Sequence, residues 1–107
     1  MNYHELPRPT ANILRLCDEI GYGHLTNLEV SAGQIHTTTD TRKYTSVNLD
    51  KAQARSLRPI GHDYTLNAFQ ERLVLQAQNR QNGRITLLDI RDGRPVTAHF
   101  EEMVVAI

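Results

Sequence analysis

The sequence contains two segments, 23–33 and 83–93, that align without a gap at an offset of 60 residues. Each segment begins and ends with Gly, has Thr and Leu at the same two internal positions, and keeps aliphatic and acidic residues in register. A pattern typical of an amphipathic helix precedes each copy. The repeat therefore predicts an α+β fold in which two helix-plus-β-hairpin units, 10–45 and 65–107, form one antiparallel sheet packed on helices.

A duplication is one explanation of this repeat, and the general similarity of hairpins bounded by Gly is the other. Two copies are fewer than the three that a solenoid needs. The length of 107 residues also suits a single core that needs no disulfide. We therefore expect one domain over 1–107, with 46–64 as a basic connector between the two units.

Both predicted helices are bounded by residues that favour helix ends. Thr10 is expected to cap the first helix and Gly21 to end it, while Thr65 is expected to cap a second helix that ends near Asn82. A weaker helical pattern covers 48–58, in the connector. Apolar residues recur at helical spacing in the two stronger helices, which predicts a buried stripe on each. The stripes consist of Ile13, Leu16, Cys17 and Ile20 in the first helix, and of Leu66, Phe69, Leu73 and Ala77, flanked by Val74, in the second.

The hairpins are predicted from runs rich in β-branched residues that flank turns containing Gly. A two-residue turn at Ala32-Gly33 would place His36 opposite Glu29 on the neighbouring strand. The Thr-rich run 37–41 is expected to continue the first hairpin as a polar, exposed edge strand. The strands are predicted at 23–30 and 34–39 in the first hairpin, at 84–91 and 94–100 in the second, and at 103–107 as an extension.

The charge of the chain is balanced overall but not along its length. Twelve Lys and Arg face twelve Asp and Glu, which excludes a generally cationic nucleic-acid coat protein. The middle of the chain is nevertheless basic, because segment 41–58 carries five basic residues against Asp50 alone. Such a segment is suited to a few phosphates or to an acidic protein surface, and a solvated charged face is the alternative. The candidate partner-binding or phosphate-binding residues are Arg42, Lys43, Tyr44, Lys51, Arg55, Arg58, Arg80 and Arg84.

No motif of catalysis, metal binding or cofactor binding is found. Cys17 lies on the apolar stripe of the first helix, where a thiol behaves as a small hydrophobe. The five histidines lack the spacing of a zinc site, and His62-Asp63 is more typical of a turn before a helix than of a catalytic pair. Gly21-Tyr22-Gly23 follows a helix and precedes a strand, which is the reverse of a dinucleotide-binding loop. We therefore expect no catalytic residue, no metal and no cofactor.

The phrases Ile20-Gly21-Tyr22-Gly23-His24-Leu25 and Val30-Ser31-Ala32-Gly33-Gln34-Ile35 carry one resemblance to known proteins. They resemble a family of small uncharacterised bacterial proteins in which a short helix leads into Tyr-Gly and then into two strands around an Asp-Gly turn. The resemblance covers about a third of the chain, and the turn Asp of the family is Ala32 here but Asp92 in the second copy. It implies a helix-hairpin unit and no activity.

These observations favour a small non-catalytic regulatory or inhibitory protein that binds a protein partner, with a phage or mobile element as a candidate source. A nucleic-acid-binding regulator of winged-helix type, using the basic segment 42–58, is the first alternative. A small enzyme of unknown reaction is the second. We also expect a cytoplasmic protein without a membrane segment, since the sequence has no cationic leader and no apolar run of about 18 residues. A homodimer is expected from the hairpin faces that one small sheet leaves uncovered.

Overall fold

A computed structural model describes residues 1–50 and 62–104 of the chain. Within these residues the chain forms a short 3₁₀ helix at Tyr3–Glu5, two α-helices and one antiparallel sheet, which confirms the predicted α+β fold. The weak helix expected over 48–58 falls largely on 51–61, outside the described residues. The elements are α1 (Arg8–Ile20), β1 (Gly23–Ser31), β2 (Gln34–His36), β3 (Arg42–Thr45), α2 (Ala68–Arg80), β4 (Gly83–Arg91) and β5 (Arg94–Glu101).

The two hairpins join through their first strands. β1 pairs with β4 along almost its whole length, and β5 lies on the far side of β4. β2 and β3 both pair with β1, on the edge that β4 does not use. The predicted contact between the first hairpin's strands is confirmed, because Glu29 lies opposite His36. One edge of the sheet is therefore formed by two short strands and the other by the eight residues of β5.

One continuous hydrophobic core lies between the helices and one face of the sheet. The strand positions that face the helices are buried, whereas their neighbours along each strand are half-buried or exposed, as alternation along a strand requires. The sheet face opposite the helices is thus uncovered in the described chain. Core residues include Ile13, Leu14 and Cys17 of α1, Leu73, Val74 and Ala77 of α2, and Leu25, Leu28, Ile35, Ile85, Leu88 and Ile90 of the sheet.

The helices and the first strands of the hairpins have bounds that differ by 60 residues, from 8–20 to 68–80 and from 23–31 to 83–91. Both hairpin turns have two residues with positive φ, near +51° at Ala32 and Asp92 and near +75° at the Gly that follows each. Each helix, however, contacts strands of both hairpins, since α1 packs on β2 and β5 and α2 packs on the same two strands. The helices therefore do not pack clearly as two repeated units.

Each hairpin turn is also hydrogen-bonded to the end of the other unit's helix. The amide of Gly33 donates to the carbonyl of Gln81 at 2.8 Å, and the amide of Gly93 donates to the carbonyl of Gly21 at 2.8 Å. Gly21 and Gln81 are the C-caps of α1 and α2. The turns are thus held by backbone contacts that cross between the two halves of the chain.

The N-terminus of α1 differs from the prediction. The helix begins at Arg8 after Pro7, so Thr10 lies inside its first turn instead of capping it. Thr10 is buried, and its hydroxyl accepts a hydrogen bond from the amide of Ile35 in β2 at 3.1 Å. Pro7 can precede the helix without a side-chain cap because the first helical amides have no partner within the helix in any case. The predicted end of the helix at Gly21 is confirmed.

The N-terminus of α2 was also predicted two residues too early. Asn67 is its cap, and the side chains of Asn67 and Gln70 each bond the other's backbone amide in a capping box. Thr65 instead pairs with Asn2 in an isolated β-bridge. Phe69, which was predicted to lie on the buried stripe, is 39% exposed.

The Thr-rich run does not continue the first hairpin as a strand. β2 ends at His36, and the chain turns before β3. The hydroxyls of Thr38 and Thr41 both donate to the carbonyl of Asn27, at 3.2 and 2.7 Å, and Asn27 has a left-handed φ of +57°. This conformation kinks β1 at Asn27, so the carbonyl of Asn27 has no hydrogen-bond partner on a neighbouring strand. The hydroxyls of the two threonines take the place of that partner. The prediction of a polar edge strand over 37–41 is therefore wrong. The expected strand at 103–107 is likewise absent from its described part, 103–104.

Candidate binding surfaces

The candidate binding residues predicted from the sequence lie in two separate parts of the structure. Arg42, Lys43 and Tyr44 lie on β3, at one edge of the sheet. Arg80 ends α2, and Arg84 lies on β4, two strands away from β3. Three further candidates, Lys51, Arg55 and Arg58, lie outside the described residues.

The β3 group is exposed, but part of its hydrogen-bonding capacity is used internally. Tyr44 is 48% exposed and stacks on His24 of β1 with the ring centroids 4.6 Å apart. One guanidinium nitrogen of Arg42 donates to the backbone carbonyls of Thr39 and Thr41, both at 3.1 Å. Arg42 therefore stabilises the turn before β3, which reduces what it can offer to an external phosphate.

Arg80 is held on three sides. Its guanidinium lies 4.1 Å from the centroid of the Phe100 ring, a cation–π arrangement. Its Nε lies 2.8 Å from a carboxylate oxygen of Glu102, an ion pair without the alignment of a hydrogen bond. A terminal nitrogen also donates to the side chain of Gln76. These contacts make Arg80 a structural link between α2 and the end of β5.

Arg84 lies between two carboxylates in the strand register. Its partner on β1 is Glu29, and its partner on β5 is Glu101. Opposite charges across strands attract each other. Arg80 and Arg84 do line one open depression together, but Glu101 and Glu102 line it as well. The two arginines therefore lie near each other, as predicted, but two glutamates lie beside them.

A groove lies between α2 and β5. It encloses a volume of about 320 Å³. Most of the side chains that line it are apolar, and the lining includes two arginines of α2, Arg72 and Arg80. Arg72 is exposed, and no described carboxylate pairs with it. The groove is lined by Phe69, Arg72, Leu73, Gln76, Arg80, Leu88, Pro95, Val96, Thr97, Ala98 and Phe100.

Sequence reasoning missed this groove because it assigned Phe69 to the core. The helical period does place Phe69 beside Leu73 and Ala77, but β5 does not close over it. Two signals in the sequence point to the site. Arg72 lies next to the apolar stripe of the helix, and the apolar residues Val96, Ala98 and Phe100 alternate with polar residues along the last strand.

The two titratable side chains considered as candidate catalytic groups, Cys17 and Asp63, have structural roles in the fold. Cys17 is fully buried, and burial raises the pKa of its thiol to about 12. Asp63 accepts a hydrogen bond from the backbone amide of His4 at 2.9 Å, and this bond holds the pKa of the exposed carboxyl below its usual range. The carboxylate thus fastens the N-terminal segment to the residues before α2. Neither group faces the groove.

Three of the five histidines lie on strands, at half-buried or exposed positions. His24 is opposite Asp89, His36 is opposite Glu29, and His99 is opposite Leu87. Within residues 1–50 and 62–104, no three histidine, cysteine or acidic side chains are close enough together to hold a metal ion. Neither described helix is long and apolar enough to cross a bilayer.

Comparison with protein-family models, with curated proteins and with solved structures finds no match to this chain.

Proposed function

We propose that this protein is a non-catalytic regulatory or inhibitory protein that acts by binding a protein partner, and that the partner docks in the groove between α2 and β5. The observation that carries the proposal is an exposed aromatic side chain in this groove, beside apolar residues of α2 and β5. Phe69 is 39% exposed there, although its ring is large enough to fill a core position. Aromatic side chains in a cleft of this kind are typical anchors of protein interfaces.

The charges of the described residues favour a protein partner over a nucleic acid. A phosphate-binding surface needs cations that are free to replace counterions. Arg42 is bonded to two carbonyls, Arg80 is paired with Glu102, and Arg84 lies between two glutamates in the strand register. Arg42 and Arg80 are therefore already occupied, and Arg84 has a glutamate at the paired position on each neighbouring strand.

The non-catalytic part of the proposal is supported by the surroundings of the reactive groups. The thiol of Cys17 is buried and has a raised pKa, so it is a poor nucleophile. His4 and Asp63 join two segments at the surface. A small enzyme of unknown reaction therefore has the least support of the three hypotheses.

A pair of substitutions on α2 tests the docking site. Phe69→Asp places a charge in the groove, while Leu75→Asp changes a residue of similar exposure, 47%, that does not line the groove. We expect a partner that is purified with the wild-type chain to be lost with Phe69→Asp and kept with Leu75→Asp. Circular dichroism would verify that both variants are folded. A partner that binds both variants equally would refute the groove as its site.

The second candidate is a nucleic-acid-binding regulator that uses segment 42–58. It is favoured by the exposure of Arg42, Lys43 and Tyr44 on β3 and by the ring stack of Tyr44 on His24. Binding through phosphates would weaken steeply between about 50 and 200 mM salt, and Lys43→Gln would reduce that dependence. A failure to bind duplex or single-stranded nucleic acid at the lower salt concentration would eliminate this candidate.

We propose four further properties of the protein. A cytoplasmic location agrees with the single reduced thiol, and a phage or mobile-element origin agrees with a short, neutral, single-domain binder. A homodimer would cover the open sheet face, on which Leu87 is half-buried, and sedimentation as a 12.2 kDa species would contradict it. We also propose that the two halves arose by duplication, which the common offset of their helices and first strands supports.

A further inference from the structure

The groove between α2 and β5 contains positive charge that its own lining does not balance. The described residues that line it include Arg72 and Arg80 but no aspartate or glutamate. Arg80 already has partners, because it pairs with Glu102 at 2.8 Å and lies over the ring of Phe100. Arg72 is exposed, and no ion pair or hydrogen bond occupies its guanidinium within the described chain. The groove therefore leaves one guanidinium available to one anionic group.

The surroundings of Arg72 on α2 are free of competing carboxylates on the groove side. Glu71 is its neighbour in sequence, so the two side chains leave the helix axis about 100° apart, and Glu71 does not line the groove. Residues three and four positions away share one side of a helix. For Arg72 these are Phe69 and Gln76, which both line the groove. An anion bound at Arg72 would thus lie beside the exposed ring of Phe69.

The rest of the groove suits an apolar body. Val96, Ala98 and Phe100 are half-buried along β5, and all three line the groove. Arg72 and Arg80 are eight residues apart on α2, which corresponds to about 12 Å along the helix axis, so apolar surface extends well beyond the free guanidinium. The volume of about 320 Å³ lies at the lower end of the range for small-molecule sites, which is about 300–1,000 Å³.

We infer that the groove binds a small amphipathic monoanion, an aliphatic or aromatic carboxylate, whose carboxylate pairs with Arg72 and whose apolar body lies between α2 and β5. A guanidinium binds a carboxylate through two parallel hydrogen bonds, which a neutral or cationic head group cannot form. A single negative charge is expected because Glu102 already pairs with Arg80. This inference goes beyond the proposed function, since the ligand would bind the chain alone and would exclude a protein partner from the same groove.

The test is an NMR titration of the full-length chain with octanoate, octan-1-ol and octylamine, which differ only in the head group. Changes in backbone amide shifts give both the affinity and the location of each probe. We expect octanoate to shift amides of 69–80 and 95–100 and to bind about fivefold more tightly than octan-1-ol, the upper range for one exposed ion pair. Octylamine should bind most weakly. Equal affinities would overturn the selection of an anion, and shifts confined to other segments would overturn the site.

Matched variants separate the contributions of the head group and of the apolar body. Arg72→Gln should lower the affinity for octanoate to that for octan-1-ol, whereas Arg91→Gln, at an exposed arginine that does not line the groove, should change neither. Phe69→Ala should weaken the binding of both probes, and Leu75→Ala, which lies outside the groove, should leave both unchanged. A preference for octanoate that survives Arg72→Gln would overturn the inference.

The same measurements distinguish this inference from the proposed function. If Phe69→Asp removes a purified partner while no probe binds at millimolar concentration, the groove binds the protein alone and only this inference fails. If octanoate binds as expected but the partner is kept with Phe69→Asp, the proposed docking site fails and this inference stands. Displacement of the partner by octanoate, and not by octylamine, would support both.

Discussion

Gly23 and Gly83 occupy equivalent places in the two halves of the chain, and replacing each by Ala should have unequal effects. Both have φ values in the region that favours Gly, +153° and +157°. At Gly83 an added Cβ would lie 3.4 Å from the carbonyl oxygen of Glu101, which is ordinary contact. At Gly23 it would lie 2.9 Å from the carbonyl carbon of Tyr44 and still closer to its oxygen, so β3 would have to move.

The size of the difference follows from what β3 would lose. Both variants bear a backbone strain of about 1–3 kcal/mol. Displacing the Tyr44 carbonyl would also break the neighbouring bond from the Ser46 amide to the Tyr22 carbonyl, 2.7 Å long, and the stack of Tyr44 on His24. At about 1 kcal/mol for the hydrogen bond and about 1 kcal/mol for the ring contact, Gly23→Ala should be less stable than Gly83→Ala by about 2 kcal/mol.

Urea denaturation followed by circular dichroism gives the two stabilities, and amide hydrogen exchange locates the change. In Gly23→Ala the amide of Ser46 should lose its protection, while the amides of β4 and β5 keep theirs until the protein unfolds globally. The explanation is refuted if the two variants agree within about 0.5 kcal/mol, the usual scatter for unrelated surface changes. It is also refuted if the amide of Ser46 stays protected in Gly23→Ala.

Three further outcomes are expected. Thr10→Val should destabilise the protein by about 1–3 kcal/mol, because it leaves the buried amide of Ile35 without an acceptor, whereas Thr10→Ser should be close to neutral in the same urea titration. Cys17 should resist aromatic disulfide reagents at pH 8 and react fully in denaturant, and rapid labelling of the native protein would contradict its burial. Ala32→Asn should raise the stability by about 1 kcal/mol, because Asn tolerates a φ of +51° better than Ala, and a lower melting temperature would contradict this.

Local sequence patterns predicted the hairpin turns and the end of α1, because these features depend on the conformation of a few neighbouring residues. The Gly residues at 33 and 93 identify the two hairpin turns because a tight turn needs positive φ there, and Gly21 identifies the end of α1 for the same reason. The caps were harder to predict because several residues that can cap lie close together. Thr65 and Asn67 are two positions apart, and the choice between them depends on the bridge that Thr65 forms with Asn2.

The candidate site depends on contacts that no local pattern contains. Phe69 belongs to the apolar stripe of α2 by its spacing, but its exposure depends on how far α2 lies from β5. The Thr-rich run has a composition suited to a strand, yet the kink at Asn27 gives Thr38 and Thr41 a stronger role as hydrogen-bond donors. The difference between the two sheet edges also follows from this long-range arrangement.

The crossed bonds between hairpin turns and helix ends have a consequence for folding during synthesis. The carbonyl of Gly21 receives its partner only when Gly93 has been made, and β1 lacks β4 until residues 83–91 have left the ribosome. A nascent N-terminal half would leave the edge of β1 that later pairs with β4 without a partner. Folding is therefore expected to await nearly the whole chain and to proceed as one slow, cooperative step dominated by distant contacts.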